Sequence, residues 1–155
     1  MAGPWRGLVH LPLASLWAVA GLAHFTHAGF FAAIVPPWLP APLLVVWVSG
    51  VVELSNAAAL LHPRTRRLGG WCSVVTLLAV WPANWHHALH GIDPELVVPP
   101  VMRDTTIAWL RVPLQLPLVA WAWALTRTPA RAQPSGSVDG TPVGSQPQPK
   151  LSMNA

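Results

Sequence analysis

Three polar side chains share one face of an otherwise apolar stretch. Ser49, Glu53 and Asn56 follow the i, i+4, i+7 spacing that stacks side chains along a helix, within LLVVWVSGVVELSNAAALLH from Leu43 to His62. A formal charge at the centre of a membrane-spanning helix costs roughly 2.5 to 3.5 kcal/mol on insertion scales. Glu53 is therefore expected to face protein or water rather than lipid. Downstream, Asp104, Arg111 and Gln115 follow i, i+7, i+11, again a single face, and Asn84, His87 and Gly91 stack in the same way. With His24 and His27 at the end of the first apolar run, these groups are expected to converge on one polar pocket. Its candidate residues are His24, Ser49, Glu53, Asn56, Asn84, Arg111 and Gln115. Burial of a lone charge is costly, so Glu53 is expected to pair with Arg111, their backbones differing in depth by roughly 6 Å at 1.5 Å per residue. The bland alternative is that such polar residues only tie helices together, at about 0.6 kcal/mol each.

The histidines raise metal or haem, because imidazole is the commonest biological metal ligand and a transmembrane haem needs two that face each other. His24 and His27 are three apart, and His86, His87 and His90 cluster. Against this, neighbours such as His86 and His87 point about 100° apart on a helix, and an amphipathic ring is at home at a membrane interface. The three are therefore read as interfacial residues and no metal site is predicted. No cofactor is predicted either, with haem kept as the open alternative. The single cysteine, Cys72, excludes an intramolecular disulfide and a Cys-x-x-Cys redox pair, and is expected to be a small buried hydrophobe. Neither G-x-S-x-G nor G-x-G-x-x-G occurs.

The elements that must position these groups are written in the composition. Only 9% of the 155 residues are charged and 53% are hydrophobic, with a mean hydropathy of +0.45. An ordinary soluble domain carries about 25% charged residues. The net charge of +4 and pI of about 11.2 would suggest nucleic acid in a soluble protein. Here the cations sit in short clusters beside apolar runs, where they set membrane orientation, so nucleic acid is rejected as a partner and the lipid bilayer taken instead.

The fold class expected is all-α, a membrane four-helix bundle, with helices over about 7–25, 42–62, 68–90 and 104–126. A positive residue before the first run resembles a signal peptide, but the residues beyond it are again membrane-like rather than a polar mature domain, so that run is read as a retained helix. Between the first two helices, Pro36, Pro37, Pro40 and Pro42 prevent a regular helix from running through. This uncharged stretch is expected to cap the outer end of the bundle. Pro82 should bend the third helix. Of nine cations, Arg6, Arg64, Arg66, Arg67, Arg127, Arg131 and Lys150 fall inside under this scheme, leaving Arg103 and Arg111. Both termini are thus placed in the cytoplasm of a multi-pass cell-membrane protein. Trp17, Trp47 and Trp81 sit deep and are read as packing residues. Residues 1–127 form the transmembrane domain, and the Pro-, Ser- and Gly-rich residues 128–155 a disordered cytoplasmic tail.

These residues carry a resemblance. GLAHFTHAGFFAAIVPPWLP, VSGVVELSNAAALLHPRTRRLGGW, LLAVWPANWHHAL and WLRVPLQLPLVAWAW, from Gly21 to Trp123, resemble the DoxX-like family of small four-helix membrane proteins. The most specific pieces are His24 with Phe25, Val35 with Pro36, then Ser49, Gly50 and Glu53. Pro82, Ala83 and Asn84 and the run from Arg111 to Gln115 add to it. His86 and His87 depart from the pattern, in which apolar residues follow the Pro-Ala-Asn. The resemblance implies an accessory subunit associated with quinone- or thiol-linked redox enzymes, and so a redox-enzyme partner and proximity to quinone. The alternative is a small carrier or stand-alone membrane enzyme using the pocket around Glu53 and Arg111. An oxidoreductase acting alone needs an electron carrier, and the absence of a cysteine pair favours the accessory role or the carrier.

Overall fold

The computed structural model describes residues 8–127. The expected start of the first helix near residue 7, the tail 128–155, and the positions of Arg6, Arg131 and Lys150 lie outside the described residues. The fold is all-α, with no strand among the described residues. In chain order the helices are α1 (Leu11–Thr26), α2 (Ala28–Ala33), α3 (Pro42–Leu61), α4 (Arg66–His90), α5 (Pro100–Arg103) and α6 (Thr105–Thr126).

Local chemistry explains where the helices start and stop. α3 opens on Pro42 in its first turn, where a missing N–H costs nothing. It ends at His62, which takes an extended conformation before Pro63. The free carbonyls of its last turn are taken up from beyond the end: Thr65 Oγ1 donates to Ala59 O at 2.9 Å and Arg66 Nε to Leu60 O at 3.1 Å. α6 is capped by Asp104, whose carboxylate accepts from the N–H groups of Thr106 and Ile107 at 2.8 and 3.3 Å. α4 stops at Gly91, whose φ of 68° is open to glycine and strained for other residues. The proline-rich segment leaves Ala41 at φ 52°, just before Pro42, an unusual conformation for a residue with a Cβ. Upstream of that segment, the residues after α1 form the short α2, and α5 sits in the loop before α6. Neither short helix is visible in the apolar periodicity.

α1 packs mainly on α3, and α4 on α6, while α3 and α4 join the two pairs. Glycines set the close approaches. A Cβ on Gly21 would meet the Gly50 carbonyl at 3.0 Å, and one on Gly69 would meet the Leu60 backbone nitrogen at 2.9 Å. Where α1 and α4 begin and α3 and α6 end, the core is apolar, built on Leu13, Trp17, Ala57, Leu60, Leu77 and Leu125. Trp17 donates to the buried Ser73 Oγ at 2.8 Å, tying α1 to α4. Toward the other end the interior holds His24, Glu53, His87 and Gln115 as well as apolar residues.

The outside is apolar. Val19, Leu44, Val51, Val75, Leu114 and Leu116, drawn from all four long helices, are each more than half exposed. Trp47, read as a packing residue, is exposed, because it falls on the outer face of α3 one residue beyond the buried Val46. Cys72, read as buried, is half-buried. By length and hydropathy α3 is the one helix among the described residues fit to cross a membrane on its own, α1 being apolar but 16 residues long. α4 and α6 fall short because they carry Arg66, Arg67, Asn84 and three histidines, and Arg111, Gln115 and two prolines, within their length.

Candidate functional site

One buried pair of ionisable groups is held by the α1–α3 contact. Gly21 and Gly50 let the two backbones approach, and one turn away on each helix this brings His24 beside Glu53, with Nδ1 of the imidazole 3.1 Å from Oε2 of the carboxylate. Both residues are buried, Glu53 at 3% exposure. The same Nδ1 lies 2.8 Å from the Ala20 carbonyl oxygen. A carbonyl only accepts, so Nδ1 carries the proton and donates it to Ala20. Glu53 Oε2 stands beside that nitrogen in ion-pair contact and accepts no hydrogen bond of its own.

The expected pair of Glu53 with Arg111 is therefore not formed. The ion-pair partner of Glu53 among the described residues is His24. Arg111, half-buried on α6, instead lies over the face of Phe30 with its guanidinium carbon 5.8 Å from the ring centre. Depth along α3 and α6 takes no account of α2, whose two phenylalanines occupy the space beside them. Phe31 stacks on His24 at 3.9 Å between ring centres, Phe30 meets Phe31 edge-on at 4.9 Å, and His87 meets Phe30 edge-on at 5.5 Å. A continuous line of rings thus connects the His24–Glu53 couple to His87 and Arg111.

The remaining candidates form local bonds. Asn56 Nδ2 donates to Thr76 Oγ1 at 2.9 Å, and that hydroxyl donates on to the Cys72 carbonyl. Asn84 Nδ2 donates to Gln115 Oε1 at 3.2 Å, and Gln115 Nε2 donates to the Leu77 carbonyl. Pro82 has no N–H to give the Leu78 carbonyl and crowds that turn. The neighbouring carbonyl of Leu77 takes a side-chain donor from α6. Ser49 is half-buried one turn before Glu53. Of the seven candidates, His24 meets Glu53 and Asn84 meets Gln115, while Asn56 bonds to Thr76, Arg111 faces Phe30, and Ser49 has no hydrogen bond to another candidate.

Two features escape the sequence pattern. Phe30 and Phe31 read there as part of a cap, yet they are the rings on which His87 and His24 pack. His87, read as an interfacial residue, is 2% exposed, and neither of its ring nitrogens makes a hydrogen bond. The Met102 backbone stands near the ring without meeting hydrogen-bond geometry. An unsatisfied buried polar group costs about 1 to 3 kcal/mol, so it marks a place where the interior is not optimised for stability alone. The i, i+3 relation of His87 to Asn84 was the available signal. His86 and His90, by contrast, lie on the accessible side with ring centres 4.3 Å apart. They rim an open groove of about 410 Å³ between Trp85 on α4 and the Pro36–Trp38 segment. His27 is engaged with Thr26 Oγ1 at 2.8 Å rather than with His24. Among the described residues no group of three or more metal-ligating side chains comes together.

The model of one protein family, described as a domain of unknown function (DUF8561), matches residues 13–126, from within the first turn of α1 to the end of α6. No curated protein and no solved structure matches the chain.

Proposed function

This chain belongs to the DUF8561 family, and we propose that it is an integral membrane protein, a four-helix bundle that serves as a DoxX-like accessory subunit of a quinone- or thiol-linked redox enzyme. The observation that carries the membrane part is the reversed distribution of polarity: Glu53, His24, His87 and Gln115 are buried while large aliphatic side chains of every long helix are exposed. Only 33% of the most apolar stretch of α3 is buried, whereas the core helix of a soluble protein is buried over most of its surface. Water penalises that arrangement at about 25 cal/mol for each Å² of apolar surface left exposed, and a bilayer does not. Close glycine-mediated crossings suit the same setting, because helices in lipid associate through packing rather than through the hydrophobic effect. Both termini and the Arg64–Arg67 turn belong on the cytoplasmic side by the distribution of arginines.

The accessory role rests on the DoxX-like motifs around His24, Glu53, Asn84 and Arg111. Its test is purification from the native membrane in mild detergent, with identification of co-purifying proteins and an absorption spectrum. A stoichiometric redox enzyme supports the role, and a lone colourless protein removes it. Extraction by alkaline carbonate would remove the membrane assignment as well.

A second reading, a proton or small-molecule carrier, is favoured by one observation: the buried His24–Glu53 couple at the end of a line of aromatic rings. Buried ionisable residues among spanning helices mark proton and substrate paths. Proton flux into proteoliposomes that is abolished by Glu53→Gln would select this reading.

A further inference from the structure

We infer that Arg111 and His87 form a binding site for an anionic group with two or more oxygen atoms, a carboxylate or a tetrahedral oxyanion, presented by a free anion or by a lipid headgroup. The inference does not depend on a redox partner. Arg111 brings five N–H donors and no acceptor. Its guanidinium faces the Phe30 ring, and among the described residues it makes neither a hydrogen bond nor an ion pair. His87 is 2% exposed with both ring nitrogens unbonded. It meets edge-on, at 5.5 Å between ring centres, the same Phe30 ring whose face the Arg111 guanidinium covers.

The acidic side chains of the described chain leave this cation alone. Glu53 is engaged with His24, and the Asp104 carboxylate caps α6. Asp93 accepts from the Glu95 N–H, and Glu95 itself is exposed in the loop. A positive group and an unbonded imidazole packed on one ring repel a cation and fail to satisfy a neutral apolar ligand. An oxyanion answers both, since planar guanidinium matches its paired oxygens and a ring N–H supplies a third donor.

The test uses the full chain purified in a zwitterionic detergent. Thermal unfolding is followed in sodium acetate, sodium sulfate and sodium chloride at matched ionic strength, and then in nanodiscs of phosphatidylcholine with and without phosphatidylglycerol. Sulfate also stabilises proteins without binding, so the difference between parent and variants is the readout. For a free anion, acetate or sulfate stabilises the parent saturably. The response vanishes in Arg111→Gln, and its half-saturating concentration rises about tenfold in Arg111→Lys and His87→Gln, as for one lost charge-assisted hydrogen bond. For a lipid headgroup, only phosphatidylglycerol stabilises the parent, with the same loss in the variants. If Arg111→Gln does not fold, Arg111→Lys and His87→Gln decide. A parent indifferent to all three additions, or variants that respond as the parent does, overturns the site.

Discussion

Oε2 of Glu53 lies 3.1 Å from Nδ1 of His24, a nitrogen that also lies 2.8 Å from the Ala20 carbonyl oxygen. One imidazole N–H thus faces two acceptors, the first on its own helix and the second on α3. The contact couples the ring's orientation, held by α1, to the one carboxylate buried in α3. It depends on the backbone approach at Gly21 and Gly50, so the chemistry of the couple and the packing of the two helices are a single structural fact.

Removing either partner should leave the other buried and uncompensated. His24→Ala and Glu53→Ala are each expected to destabilise the protein by about 3 to 5 kcal/mol, and the double variant clearly by less than the sum. Glu53→Ala and Arg111→Ala should instead add to within about 0.5 kcal/mol. Denaturant unfolding of the two cycles in detergent measures both couplings. Coupling of Glu53 to Arg111 rather than to His24 would refute the observed pairing.

The glycines should differ in what they tolerate. A Cβ on Gly69 meets backbone, the Leu60 nitrogen at 2.9 Å and the Ala59 carbonyl carbon at 3.0 Å. A Cβ on Gly50 meets Phe25 Cε2 at 2.8 Å and His24 Cβ at 3.0 Å, and the Phe25 ring is exposed and free to swing away. Gly69→Ala should therefore cost about 1 to 3 kcal/mol, and Gly50→Ala less. Equal losses, read from thermal unfolding in one detergent, would show that α3 and α4 separate as readily as Phe25 moves.

Much of the all-helical fold was legible in the residues. Apolar runs bounded by Pro42, Pro63, Gly91 and Asp104 carry their own start and stop signals, and α3 begins at Pro42 for that reason. The shared face of Ser49, Glu53 and Asn56 was also readable, because helical spacing is a local property. The partner of Glu53 was not, since depth along two helices says nothing about a third element standing beside them. That element, α2, is six residues long and too short for a periodic signal. His87 was misjudged for a related reason. Its burial is set by Phe30 of α2 and by the neighbouring α6, both distant in sequence.

Orientation in the membrane is checked by reporter fusions. A fusion after His62, in the turn between α3 and α4, should read cytoplasmic, as should one after Arg131, while one after Pro94, between α4 and α5, should read external. The opposite pattern would reverse the side on which the His87–Arg111 end of the molecule lies. Three fusions on one side would refute a multi-pass arrangement.

The last prediction concerns the unbonded imidazole. His87 is packed against Phe30 and Ala88 lies buried beside it, so a side chain of similar volume without polar atoms has a place to go. In buffer and detergent free of polyatomic anions, His87→Leu should raise stability by about 1 to 3 kcal/mol, the cost of a buried polar group that lacks a partner. The same variant should bind acetate or sulfate more weakly, because the third donor beside Arg111 is gone. Stability and binding then move in opposite directions, a split that a better apolar fit alone does not produce, since it would leave the anion response intact. A loss of stability comparable to the predicted gain would mean that the ring nitrogens have a bonding partner in the folded protein, such as an ordered water with two to four contacts.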